Sequence, residues 1–148
     1  MIRDILVLPD SRLRVMSLPV LVFDGLNILL VEEMQSIMLA HNGMGLAASQ
    51  IGEAVRVAVY NFKPGYMINP RIVKIGGDLI SHLEGCLSIP GVSGKVNRFD
   101  KVKVTFNLYD GEERTMTFKG YEAFCIQHEI DHFQGKLYID YLNSPISI

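Results

Sequence analysis

His128-Glu129-Ile130-Asp131-His132 constrains this chain more than any other segment. It falls in a stretch whose pattern predicts a helix from Tyr121 to about Phe133, opened by Gly120 and stopped by Gly135. Residues four apart are just over one helical turn apart, so both imidazoles project from one face. Tyr121 and Cys125 extend that stripe toward the N-terminal end. A helix with such a stripe is expected to face sheet rather than solvent. Two neutral imidazoles at this spacing can grip one divalent cation, and Glu129 can take a proton from a water beside it. The bland alternative is a surface helix with two solvated histidines, and the pentapeptide alone does not decide.

The remaining 143 or so residues narrow the choice. A length of 148 residues predicts one domain, 1–148. A hydrophobic fraction of 49% supports a real core and excludes a disordered chain. A net charge of -2 gives no case for direct nucleic-acid binding or an anionic membrane. Apolar runs such as Ile5 to Leu8 are too short to span a bilayer or to form a signal peptide. The two cysteines, Cys86 and Cys125, read as reduced thiols, which places the protein in a cytosol-like compartment.

Asp24 is suited to cap a helix running to about Ala40, with Leu26, Leu30, Met34, Ile37 and Met38 as its apolar stripe. Strands are predicted at Arg56 to Tyr60, at Tyr66 to Ile68 and Ile72 to Ile75 around an Asn69-Pro70 break, and at Lys101 to Leu108. Asp110-Gly111 reads as a hairpin turn into a return strand, Arg114 to Phe118. The order is helix, antiparallel strands, helix. The fold class is α+β, with antiparallel sheets packed around a central metal-binding helix and a second, N-terminal helix.

A catalytic metal site needs a third protein ligand and an open position. Cys86, Cys125, His41, His82 and the carboxylates are candidates. Cys125 is too near His128 on a rigid helix and reads as a small buried neighbour. His41 and His82 read as exposed loop histidines. Cys86, in Glu84-Gly85-Cys86-Leu87-Ser88, is either a ligand or an ordinary buried cysteine. Gly43 to Gly52 packs small residues around Gln50, which suits either a tight turn with a solvated glutamine or an amide aimed at a developing oxyanion.

Three segments, Gly43 to Gln50, Glu84 to Ser88 and Gln127 to His132, together resemble the peptide deformylases, a family marked by G-x-G-L-A-A-x-Q, E-G-C-L-S and Q-H-E-x-D-H in this order. The resemblance runs from about residue 5 to 143. It implies that Cys86, His128 and His132 bind one metal ion, Fe2+ by family habit, with Zn2+, Ni2+ or Co2+ as substitutes. It implies Glu129 as general base and then acid, and Gln50 with the backbone N–H of Leu87 as oxyanion donors. Gly43, Gly45 and Gly85 would run along the bound peptide. Met44, Glu84, Tyr121, Phe124 and Cys125 would border the pocket for a methionine side chain. The implied substrates are N-formylmethionyl peptides of nascent chains, cleaved to formate and a free N-terminus by a cytoplasmic monomer, with ribosome proximity left open.

One thiolate and two neutral imidazoles leave such a site near +1, with a water pKa lowered toward about 7. The sequence departs from the family pattern in places. It stops at Ile148, which implies a short form without the C-terminal helix, similar to phage-encoded members. The stretch from Tyr60 to Tyr66 is short, Phe133 replaces a usual leucine, and Asn97 a common proline. Arg98 is expected to pair with Asp131 on the far side of the helix. A zinc endopeptidase is disfavoured, because no histidine or glutamate follows His132. The non-enzyme alternative is an inactive or structural metal-binding relative that serves as a peptide-binding module.

Overall fold

Asp24 caps the first helix, its carboxylate accepting from the Leu26 N–H at 3.0 Å. This computed structural model describes residues 3–142; the chain end at Ile148, on which the short-form expectation rests, lies outside the described residues. Helix α1 spans Gly25–Ala40 and ends where Asn42 takes a left-handed conformation, φ 55°. It buries Val31, Met34, Ile37 and Met38 against Leu46, Val57, Val59 and Ile68 of the strands beneath. Each such side chain contributes about 1.5–3 kcal/mol on leaving water. The expected stripe holds from Leu30 onward; Leu26 is 72% exposed, and Val31 adds an inward position.

Five strands follow in simple sequential order, all antiparallel: β1 Gly45–Ala47, β2 Val57–Tyr60, β3 Tyr66–Cys86, β4 Ile89–Asn107 and β5 Glu113–Lys119. They form one hydrogen-bonded ladder. Its dominant feature is the long β3–β4 ribbon, which closes at Cys86↔Ile89 and leaves Leu87 and Ser88 as the turn. Register shifts near Asn69, Val73 and Gly77 let so long a ribbon bend. The Asn69-Pro70 position is therefore a bulge within one strand, not a break between two. Asn69, at φ 51°, uses its side chain to pair with both backbone groups of Val20.

Helix α2, Tyr121–His132, lies across this ladder and buries most of its circumference. Ala123, Ile126 and the following Phe133 meet Val102, Val104, Phe106 and Phe118, the inward residues of β4 and β5. Gln127 fixes the helix to the ribbon: its Oε1 accepts from the Phe99 N–H and its Nε2 donates to the Phe99 carbonyl. Past the helix, Gly135 turns at φ 70°, and any Cβ there would press on the Arg14 carbonyl. The α+β class and the central helix thus match the reading of the sequence.

Candidate active site

Helix periodicity puts His128 and His132 on one face of α2, and the β3–β4 turn brings Cys86 up to them. The three ligand atoms lie within 4.8 Å of one another. His132 Nε2 is 3.3 Å from His128 Nε2 and 3.6 Å from Cys86 Sγ. Tetrahedral ligands at usual zinc bond lengths stand about 3.3–3.4 Å apart for two nitrogens and about 3.6 Å apart for nitrogen and sulfur. The donor set therefore fits one tetrahedral divalent cation, with a fourth position left to the cavity. Cys125 lies apart from this triad, and its Sγ sits 3.9 Å from Glu129 Oε2.

The two imidazoles are driven in opposite directions. Burial would push His128 down, but the Glu129 charge and hydrogen bonding to Cys86 and Glu84 outweigh it and hold it well up. A metal ion competes with that proton for Nε2. His132 is pushed well down by burial, and then by the His128 and Arg98 charges, which keeps it a neutral donor. Glu129 is raised to about 7, chiefly by burial, against the pull of His128. Its Oε1 is buried with no hydrogen-bond partner among the described residues, leaving it free to accept a proton from the cavity.

The ligands are braced from behind. Glu84 Oε1 accepts from His128 Nδ1, which directs Nε2 toward the other two donors. Arg98 donates to both Glu84 oxygens, at 3.1 and 2.7 Å, and to Asp131 Oδ2 at 2.6 Å. The expected Arg98–Asp131 pair is present, and it extends to Glu84, which the sequence placed only at the pocket border. Burial pushes Glu84 up, but its bonds to His128 and Arg98 prevail and hold it at about 2.

Gln50 sits in a buried 3₁₀ turn, Ala48–Ile51. Its Oε1 accepts from the Ala47 N–H at 2.9 Å, which turns the Nε2 group toward Ser88 Oγ at 3.1 Å and Cys86 Sγ at 3.6 Å. The N-terminal arm secures both segments, through Leu6 N–H to the Gln50 carbonyl and Leu8 N–H to the Ser88 carbonyl. Leu87 packs its side chain where a Gly43 Cβ would be, 2.9 Å away. Gly45 has Cys125 Sγ and Glu129 Oε2 each 2.7 Å from its virtual Cβ, so β1 can lie this close to the helix only without a side chain.

These residues share one cavity of about 610 Å³. Cys86, His128, Glu129 and Gln50 form its polar wall. Gly43, Gly45, Gly85 and Leu87 line it as backbone or turn. Met44, Glu84, Phe124 and Cys125 also line it, and so does Tyr121, which is 73% exposed. His132 lies behind this wall, fully buried. His41 is exposed at the end of α1, as expected. His82 is not: it lies on β3, enters the cavity wall and stacks on Phe124 at 4.1 Å. The signal was its place two residues before Glu84, which on a strand means the same face. Tyr138 was also missed; its ring lies over His128 and its hydroxyl donates to the Val92 carbonyl.

Comparison with known proteins follows the same lines. The profile of the polypeptide deformylase family matches residues 2–146. Peptide deformylase of Buchnera aphidicola subsp. Cinara cedri is 42% identical over 148 residues, covering 96% of this chain and 99% of that protein. Peptide deformylase 1 of Pseudomonas syringae pv. tomato is 42% identical, covering 97% and 88%. The solved peptide deformylase of Legionella pneumophila superposes with a TM-score of 0.91 at 41% identity, covering 97% of this chain and 87% of that one. Sequence and fold agree: the chain belongs to the polypeptide deformylase family.

Proposed function

We propose that this chain, as one catalytic domain, hydrolyses the N-formyl group from the initiator methionine of nascent polypeptides and releases formate. The observation that carries this reading is the meeting of Cys86, His128 and His132 at ligand spacing, with Glu129 and Gln50 opening on the same cavity. A divalent cation held by those three side chains would polarise the formyl oxygen and acidify a water. We take that ion to be Fe2+, by the family resemblance; Zn2+, Ni2+ and Co2+ suit the same donors.

Glu129, raised to about 7 by burial, accepts the proton of the attacking water. The Gln50 amide and the Leu87 N–H donate to the oxygen that becomes negative as the formyl carbon turns tetrahedral. Glu129 then returns its proton to the departing amine, and formate and the free N-terminus leave. Gly45, having no side chain, lets β1 lie directly against Glu129 and Cys125. The protein would act in the cytoplasm as a monomer on N-formylmethionyl peptides near the ribosome.

Formate release from formyl-Met-Ala-Ser tests the reading, with metal content measured after anaerobic purification. Turnover that a chelator abolishes and Fe2+ or Ni2+ restores supports it. Glu129→Gln should keep the metal and lose turnover by about 10²-fold or more. A fully loaded wild-type site without turnover would favour a peptide-binding module instead.

A further inference from the structure

His82 brings a polar ring into the apolar end of the cavity, and nothing in the proposed reaction uses it. It stacks on Phe124 with 4.1 Å between ring centroids and 16° between planes. Phe124 in turn meets the Tyr121 ring edge-on, at 6.1 Å and 82°. Behind the stack, His82 Nε2 is 2.9 Å from Glu84 Oε2, although off the line of a hydrogen bond. The imidazole is thus held between an aromatic ring of α2 and the carboxylate that braces His128. The stack borders the same cavity as Met44, Leu83 and Cys125.

Distance links this wall to the reacting end. Phe124 precedes His128 by four residues, about 6 Å along the helix axis. An unbranched side chain of four heavy atoms, extended from its Cα, reaches about 5–6 Å. Because His82, Phe124 and His128 line one cavity, such a side chain on a formyl-bearing residue held at His128 is long enough to reach the His82–Phe124 pair. Thioether sulfur is polarisable and gains from aromatic neighbours at about 5 Å, whereas a methylene of the same shape gains less.

We infer that His82 is a specificity residue: its stack with Phe124 selects a thioether over an isosteric methylene in the first side chain of the substrate. The inference rests on the deformylase reading above. The contact is made equally in the ground and transition states, so it lowers KM and leaves kcat alone. The expected preference is about two- to tenfold.

The experiment compares formyl-Met-Ala-Ser with formyl-norleucine-Ala-Ser on the metal-loaded enzyme, His82→Leu and His82→Phe. The wild type should favour methionine about two- to tenfold in kcat/KM, through KM. His82→Leu should bring the ratio to about one, and His82→Phe, which keeps an aromatic stack, should preserve it. A wild-type ratio near one, or a ratio that survives His82→Leu, overturns the inference. Calorimetric affinities of Met-Ala-Ser and norleucine-Ala-Ser give the same ratio without turnover. An absence of deformylation and an absence of sulfur selection are therefore read separately.

Discussion

Glu84 spends one carboxylate on two tasks, accepting from His128 Nδ1 and neutralising the buried guanidinium of Arg98. The orientation of a metal-binding imidazole is thereby tied to a buried ion pair. Glu84→Gln keeps the shape but removes the charge. Metal affinity should fall about 10- to 100-fold, as is usual when a partner behind a ligand is changed. Competition with a chromogenic chelator measures this, and unchanged affinity would show that the His128 ring is held by packing alone.

Arg98 is 5% exposed and bonded to two carboxylates. Arg98→Ala would leave buried Glu84 and half-buried Asp131 without their shared counter-charge. The expected loss of stability is about 3–5 kcal/mol, read from chemical denaturation, with Arg98→Lys falling between the two. A melting curve unmoved by Arg98→Ala would mean that water replaces the guanidinium.

Gly45→Ala asks whether close approach matters to the chemistry. The new methyl would meet Glu129 Oε2 and Cys125 Sγ at 2.7 Å, and α2 is packed too tightly to retreat. Displacement of Glu129 should lower kcat by about 10²-fold while the far-UV circular dichroism stays as it is. Full activity would show that the carboxylate adjusts without cost.

Asp140 joins the end of the described chain to its beginning, accepting from Arg14 at 2.7 Å and from the Leu137 N–H at 3.0 Å. Burial pushes its pKa up, but those two hydrogen bonds outweigh it and hold the carboxyl below its ordinary value. A depressed value in the folded state means stability that is present above the unfolded pKa, about 3.9, and lost as pH falls through the folded one. Asp140→Asn should melt lower than wild type at pH 7, and the gap should close below about pH 4. A gap constant across that range would assign the effect to packing.

Helix α2 was legible because its pattern is local: the capping glycine, the histidine pair and the stopping glycine all lie within sixteen residues. The β4–β5 hairpin was legible for the same reason, since Val102, Val104 and Phe106 alternate cleanly with Lys101, Lys103, Thr105 and Asn107. The ribbon from Ile75 to Asn97 was not. Its register shifts break the two-residue period, and Gly76, Gly77, Gly91 and Gly94 read as loop. The place of Cys86 followed from motif resemblance, because no local rule carries a thiol across to a distant helix. His82 was misplaced because it has no partner at ligand spacing; the ring it stacks on, Phe124, is 42 residues away on α2.

The turn that carries Cys86 has a further consequence for how the protein comes into being. Cys86 and His132 are 46 residues apart, and the turn is moored by Leu8 from the opposite end of the sequence. The Leu8–Ser88 contact can form once residue 88 is out, but the ligands meet only after His132 has left the site of its synthesis. Contacts of such long range close late and slowly. The protein thus passes through much of its own production with the ligands scattered, and the capacity to hold a metal arrives only when α2 packs against the turn that carries Cys86.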